Sequence, residues 1–406
     1  MPLAFRRSVG YFALFLCLGL DMAVIGPTLS DLAGQTGSTL GEIGMVFFLG
    51  AGGVSLGTLL GGWTLDRTSG RLVLGAAQII SGSLLFLVPH VGWYVPLLAL
   101  FVLKGIAGGV VGTGANTLLQ WTHGAKAAPF VNALHFFFGL GAFLSPLLLG
   151  LMLSAGAAYS DVYTLLALFD ISVGAAVLVR LSAPQAPQMG HREAGATGTH
   201  SSYLAPIVVA AMLFLFFYVS AELTFGGWVY TYAVTLGLAD PARAAYLTSL
   251  FWLAFTLGRL ISIPVAVRIS SAHVLVAALI GCTAFLGLLV VFAASPGVLW
   301  LAVAGVGFSM APMWPSGYNL AVQSIHLTAR LGAVIMLGDS IGGMVLPGLT
   351  GLFMERAGAA AMTKLVLASM VATAVAFGAI ALFRARRRAA LMVPISDSAA
   401  SQAQGV

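Results

Sequence analysis

Six charged side chains lie inside stretches otherwise built from Leu, Val, Phe, Gly and Ala: Asp21, Lys104, Asp170, Glu222, Arg259 and Asp339. If hydrocarbon surrounds such a stretch, a charge at its centre costs at least about 2.5–3.5 kcal/mol, so each must face protein or water. For Lys104, Asp170 and Arg259 the reading is ion pairing that fixes helix packing. For Asp21, Glu222 and Asp339 it is cation handling, because an isolated carboxylate in an apolar cavity is stable mainly when a proton or a cation neutralises it. Such a group can take up its cation on one side and release it on the other. Asp339 has an alternative as the partner of Arg259. Sodium would want several oxygen ligands, some of them carbonyls at Gly26 and Pro27, whereas a proton needs one carboxylate. Both ions stay open.

Uncharged polar groups recur at helical spacing. Asn132, His135 and Gly139 stand at i, i+3 and i+7, and Asn116 with Gln120 repeats the i, i+4 spacing of Asn319 with Gln323. Amides both donate and accept, which suits a polyhydroxylated solute such as a sugar, while a lipid or a drug would need mostly apolar walls. Trp228, Tyr230, Trp314 and Tyr318 offer ring faces for the apolar side of such a solute. The expected binding surface is therefore Asn116, Gln120, Asn132, His135, Glu222, Trp228, Trp314, Tyr318 and Asn319. Interhelical hydrogen bonding is the plain alternative for each amide taken singly.

Other chemistries are disfavoured. Gly53, Gly57 and Gly61 are four apart, as are Gly108 and Gly112, a pattern that lets helix backbones approach closely. No strand precedes them and no Gly-x-x-x-x-Gly-Lys-Ser/Thr cradle is present, which argues against ATP hydrolysis. Cys17 and Cys282 are far apart, with no metal-ligand spacing. No enzyme, cofactor or bound metal is expected.

The elements that must position these residues follow from composition. Of 406 residues 60% are hydrophobic, another 50 are Gly and only 7% are charged, and the mean hydropathy is +1.02. No ordinary soluble surface can be assembled from the remainder. Twelve spans of about 20 residues need about 240 apolar positions, close to the roughly 244 that 60% of 406 supplies. The expected fold is an all-α membrane protein with helices at about 8–29, 39–64, 71–89, 95–120, 127–155, 160–181, 203–235, 242–267, 272–293, 297–323, 328–355 and 361–383. The first run follows Arg6 and Arg7 but lacks a small-x-small cleavage site, so it reads as a retained span. Of the 18 basic residues, Lys104 and Arg259 are inside runs, Arg243, Arg356 and Lys364 fall in alternate connectors, and the other thirteen lie on the side of the two termini. That asymmetry predicts cytoplasmic termini. The net charge of +6 is accounted for by this topology and calls for no nucleic acid.

The expected organisation is a six-helix half at 1–181, a cytoplasmic linker at 182–202, a second half at 203–384 and a cytoplasmic tail at 385–406. Sliding the chain on itself by 201 residues places Gly141, Pro146 and Gly150 on Gly342, Pro347 and Gly351, Gly57 and Arg67 on Gly258 and Arg268, and Asp21 on Glu222. One offset serving three helix pairs predicts two repeats of the same topology, with the solute site between them near the midplane.

The connector GGWTLDRTSGR, Gly61 to Arg71, resembles the loop signature of the major facilitator superfamily, Gly-x-x-x-Asp-Arg-x-Gly-Arg, with Gly62, Asp66, Arg67, Gly70 and Arg71 in the matching roles. The second Gly stands one residue late. Lys104 stands where many members carry a fourth-helix arginine. The strings GPTLSDLA (26–33), GANTLLQW (114–121), NALHFFFGLGAFLSPLL (132–148) and AELTFGGWVYTYA (221–233) are similar to the sodium-dependent glucose transporter and fucose permease-like group. The resemblance implies a monomeric secondary transporter of the cell membrane, the inner membrane if the source is bacterial. It would move a sugar-like polar solute by alternating access, driven by H+ or Na+, with Asp21 as the coupling carboxylate. Gly62, Asp66, Arg67, Arg71 and Lys104 would form a conformational latch, because charges at a helix end can pair with a neighbouring helix in one state and separate in the other. The competing functions are a proton-driven exporter of drugs or lipids on the same fold, and a receptor or scaffold with a dead transport path.

Overall fold

The computed structural model describes residues 3–180, 206–323 and 329–392, so the expected linker falls outside the described residues. Regular structure among them is helical: α1 (Leu3–Thr36), α2 (Leu40–Ile43), α3 (Met45–Leu65), α4 (Gly70–Leu87), α5 (Tyr94–His123), α6 (Ala128–Ser154), α7 (Tyr159–Arg180), α8 (Pro206–Thr235), α9 (Pro241–Arg268), α10 (Ser271–Val291), α11 (Pro296–Met310), α12 (Met313–Val322), α13 (Ala329–Ala357) and α14 (Ala361–Met392). They make twelve spans long and apolar enough to cross a membrane. Helices suit lipid because each one satisfies its backbone groups internally.

Most boundaries match the apolar runs; four details differ. The first helix extends from Leu3 to Thr36 and ends at Gly37, whose φ of 64° closes the turn. The second span is broken: α2 is a single turn held by a capping box, Thr39 Oγ1 accepting from Glu42 N–H and Glu42 accepting from Thr39 N–H, before Gly44 restarts the helix. The tenth span breaks at Ala311 and Pro312, because Pro312 has no N–H to donate and its ring crowds the preceding turn. The Met310 carbonyl at that break accepts from the Tyr218 hydroxyl at 3.0 Å, so the interrupted backbone is not left bare. The last helix continues to Met392, past the expected start of the tail.

Glycines let the helices touch at backbone distance, and they do so twice. A side chain on Gly141 of α6 would run into the Leu16 carbonyl of α1, and one on Gly342 of α13 into the Phe216 carbonyl of α8. Gly57 of α3 sits against the Ile106 carbonyl of α5, and Gly258 of α9 against the Phe308 carbonyl of α11, 2.8 Å from an added Cβ. These two contacts in the first six spans thus have counterparts about 201 residues on, which is the pattern of a structural repeat.

The two sets of six spans meet mainly toward the end of the bundle opposite the chain termini. There a Cβ on Gly26 would lie 2.5 Å from the Gly227 carbonyl, and one on Gly44 would lie 2.7 Å from that of Gly348. Gly41 N–H donates to Glu355 Oε2 at 3.1 Å, and Gly150 packs on the Tyr246 ring. At the terminal end Gln120, Asn132, Asn319 and Gln323 are exposed. The bundle is closed at one end and open at the other.

The glycine contacts generate a test. Gly57→Ala should cost about 1–3 kcal/mol by overpacking, whereas Gly62→Ala, where an added Cβ meets nothing within 4 Å, should be neutral or stabilising by up to about 1 kcal/mol. Thermal denaturation of the two purified variants beside the parent reads the difference. Equal losses would remove the close-approach account.

Candidate functional site

A cavity of about 340 Å³ lies between the two sets of spans, lined from α1, α3, α4, α5, α8, α9 and α13. That size falls within the roughly 300–1,000 Å³ of small-molecule sites. Most of the wall is aliphatic, aromatic or glycine, such as Leu18, Phe47, Phe101 and Gly226. Its polar groups are Asp21, Ser55, Ser81, Lys104, Trp252, Asp339 and Ser340. Trp252 is in the wall, and its indole N–H is buried with no acceptor among the described residues.

The charged centre of the wall is an ion pair. Lys104 Nζ on α5 lies 2.5 Å from Asp21 Oδ2 on α1, and both side chains are 8% exposed. Lys104 Nζ also donates to Ser81 Oγ on α4 at 3.1 Å, and Ser81 Oγ donates onward to Asp21 Oδ2 at 3.2 Å. The other oxygen, Asp21 Oδ1, is buried without a hydrogen-bond partner among the described residues. Removing one member of such a pair leaves an uncompensated buried charge, which is why the three helices are held together here. Asp170 on α7 sits behind the pair, where Gly82 of α4 makes room for it: a Cβ on Gly82 would be 2.8 Å from the Asp170 Cβ.

In the second set of spans Asp339 of α13 faces the cavity and accepts from Trp314 Nε1 at 2.8 Å. Trp314 is stacked on Tyr318, ring centroids 5.4 Å apart. The two aromatic residues therefore orient a carboxylate. Glu222 is buried beside Tyr218, within electrostatic reach of Arg259 and Asp339, and does not line the cavity. The Arg259 guanidinium lies over the Phe255 ring at 4.5 Å, and its Nε is buried without an acceptor. Asp339 thus has an indole as its hydrogen-bond partner, and Arg259, the alternative partner read from the sequence, acts on it only through space.

The other expected binding residues are elsewhere. Gln120 Nε2 donates to Asn116 Oδ1 at 2.9 Å, and Gln323 Nε2 to Asn319 Oδ1 at 3.2 Å, so each i, i+4 couple satisfies itself at the open end. Trp228 is fully buried and donates to the Pro347 carbonyl at 2.9 Å, which makes it part of the contact at the closed end. His135 stands edge-on to Phe15 of α1 and near Arg259 of α9, while Gly139 packs on Thr256. The face shared by Asn132, His135 and Gly139 therefore turns toward the junction of the two sets, outside the cavity. Spacing alone missed Ser81, Trp252 and Ser340, since single hydroxyls and an indole in apolar helices carry no periodic mark.

The loop after α3 is open. Asp66 forms no ion pair among the described residues, and Arg67 folds back on its own helix, donating to the Trp63 carbonyl at 3.1 Å with its guanidinium 4.4 Å from the Trp63 ring. Gly62 has empty space beside it and Arg71 is exposed. Lys104 is remote from this group because it is committed to Asp21 in the middle of the bundle.

The family profile of the Major Facilitator Superfamily matches residues 11–347. The chain belongs to the major facilitator superfamily. It is a multi-pass protein of the cell membrane, a solute transporter and not an enzyme. Among superfamily relatives, the mouse protein named sodium-dependent glucose transporter 1A is 32% identical over 380 residues, 84% of this chain and 88% of its own. The human sodium-dependent glucose transporter 1 is 29% identical over 372 residues, 84% of this chain and 72% of its own. A crystal structure of a D-xylose-proton symporter superposes with a TM-score of 0.74 at 14% identity, covering 92% of this chain and 97% of that one. A nucleoside transporter, NupG, gives 0.73 at 14% identity, covering 94% and 100%. These structural likenesses speak to the superfamily fold.

The ion pair predicts a non-additive stability pattern. Lys104→Met should destabilise by up to about 3–5 kcal/mol, and adding Asp21→Leu should recover much of that loss. Thermal unfolding of both single variants and the double variant closes the cycle, and additive losses would show that the pair is not coupled.

Proposed function

We propose that the protein takes up a sugar or similar small polar solute by alternating access, coupled to H+ or Na+ through Asp21. The observation that carries this reading is Asp21 itself, a cavity-wall carboxylate with one oxygen committed to Lys104 and the other unpartnered. In the empty form Lys104 balances Asp21, and uptake of a cation at Asp21 would release Lys104 from the pair, which would link ion binding to the packing of α1 against α5. The sugar class is supported by the relatives named for sodium-dependent glucose transport, which align over most of both chains. In the cavity, Trp252 N–H and Asp339 would meet solute hydroxyls, and Phe47 and Phe101 the apolar ring face. Asn132 and His135 would line the approach from the open end. The mostly apolar wall favours a second reading, a proton-driven exporter of a more apolar solute. Competition by a sugar panel against a panel of amphipathic drugs, read by thermal shift, separates the two.

With cytoplasmic termini, the open end is the inward one, and the Asp66 loop would close against the second set of spans when the carrier turns outward. Asp66→Asn should then slow transport in reconstituted vesicles and leave solute affinity nearly intact. An unchanged rate would remove the latch.

Coupling and recognition are tested apart. Asp21→Asn is permanently neutral, so the carrier should still exchange solute in counterflow while gradient-driven accumulation is lost. Trp252→Phe should weaken solute binding by about 1–3 kcal/mol if its N–H meets a buried acceptor on the solute. Counterflow, uphill uptake and binding measured on the same preparations read both. Full uphill accumulation by Asp21→Asn would sink the coupling assignment.

A further inference from the structure

Proline interrupts a helix at a fixed place: it has no N–H, so a Pro at position i leaves the carbonyl of i−4 without its helical donor. Inside lipid such a carbonyl needs another donor or a water-filled cavity to face. Four prolines lie within described helices past the first turn, Pro27 of α1, Pro146 of α6, Pro264 of α9 and Pro347 of α13. The carbonyls they free belong to Ala23, Ala142, Leu260 and Gly343. On α13 the proline and the freed residue both line the cavity, Gly343 one turn beyond Asp339 and Pro347 one turn beyond Gly343. Ala23 lines it without Pro27, Ala142 is fully buried outside its wall, and the exposed Leu260 is outside it as well.

Side chains of α8 attend to the carbonyls on either side of this interruption. Ser220 Oγ donates to the Gly342 carbonyl at 3.0 Å, and Trp228 Nε1 to that of Pro347 at 2.9 Å. No side chain among the described residues donates to the Gly343 carbonyl between them. Asp339, one turn earlier on the same face, has Oδ1 taken by Trp314 and Oδ2 without a hydrogen bond among the described residues. The helix therefore offers the cavity two acceptors separated by about 6 Å along its axis. Acceptors call for donors. A neutral polyol brings a hydroxyl to each, whereas a carboxylate or a phosphate brings only further acceptors.

We propose that the main-chain carbonyl of Gly343, deprived of its helical donor by Pro347, accepts a hydrogen bond from a hydroxyl of the transported solute. Water takes that place in the empty cavity, and the solute hydroxyl displaces it. Glycine suits the position because it has no side chain to screen the carbonyl. This inference rests on the cavity as the site of a sugar-like solute and adds a main-chain contact that favours a neutral polyol over an anion. The repeat supplies a comparison, since the offset of 201 residues carries Pro146 onto Pro347 while the carbonyl that Pro146 frees is buried away from the cavity.

Titration calorimetry of the purified full-length protein with D-glucose and with each of its monodeoxy analogues tests the contact. Pro347→Ala restores an N–H to the helix and should weaken D-glucose binding about tenfold, while Pro146→Ala should leave it nearly unchanged. One monodeoxy analogue should bind the parent about tenfold more weakly than D-glucose and bind Pro347→Ala as well as it binds the parent, because the hydroxyl that met the carbonyl is already gone. Leu346→Thr keeps the proline and sets a hydroxyl three residues beyond Gly343, within reach of the same carbonyl. It should reproduce the loss and the analogue pattern, and it decides the matter if Pro347→Ala does not fold. Unchanged D-glucose affinity in the α13 variants, equal losses in Pro347→Ala and Pro146→Ala, or a loss that every analogue shares overturns the carbonyl contact and leaves the sugar reading in place. A parent that binds neither D-glucose nor any analogue removes the sugar reading, and the carbonyl contact falls with it.

Discussion

A buried ammonium 2.5 Å from a buried carboxylate, Lys104 against Asp21, is the interaction on which the first set of spans depends. In a chain with so few charges, two of them spent in the middle of a bundle must contribute more than solubility. The pair fixes α1 against α5, recruits Ser81 from α4, and brings Asp170 of α7 to its back, so four helices meet at one polar point. Buried pairs are weak contributors to net stability but strongly resist the loss of one partner. They hold register and orientation in a packing that dispersion alone would leave tolerant of sliding.

Register elsewhere comes from glycine. In lipid no hydrophobic force drives helices together, because the tails are as apolar as the side chains, so close backbone contact has to supply the attraction. Gly57 and Gly141 supply it in the first set of spans, and Gly258 and Gly342 repeat the geometry in the second. The two sets of spans touch through a second group of small residues, Gly26 against Gly227 and Gly44 against Gly348, mainly toward one end. Small residues at that contact let the two backbones approach as closely between the sets as Gly57 and Gly258 do within them.

The spans were legible because about 20 consecutive apolar residues have no other use, and the repeat was legible because glycines at backbone contacts cannot be exchanged. The breaks at Gly44 and Pro312 were not, since each span remains apolar through its interruption and hydropathy does not register a lost hydrogen bond. The charged positions were found by their cost in lipid, but their partners were not. Whether Lys104 meets Asp21 or the Asp66 loop depends on how α1 and α5 are rotated, which one chain's pattern leaves free. The amides misled for a physical reason: Asn116 with Gln120, and Asn319 with Gln323, stand at the spacing that lets them satisfy each other, and so they need no solute. Trp228 misled likewise, since a large indole at a glycine-rich contact fills space before it greets a ligand.

The two halves of the repeat share a backbone and differ in chemistry. The offset that carries Asp21 to Glu222 carries Ser81 to Cys282 and Lys104 to Gly305. The second set of spans thus keeps an acid and loses both groups that hold it, and Glu222 turns instead to Tyr218, which itself bonds the Met310 carbonyl at the break of the tenth span. The cation nearest to Glu222 comes from a different helix, as Arg259 of α9 in place of a lysine on α11. A symmetric bundle therefore presents an asymmetric wall to the cavity: a charge-balanced carboxylate on one side, and on the other Asp339 held by an indole, beside an indole N–H with no acceptor. Division of labour follows from that asymmetry. An acid beside a fixed cation responds to charge, and an acid held by a neutral donor responds to hydrogen bonds, so under the proposed function ion and solute would be sensed on opposite walls of one cavity.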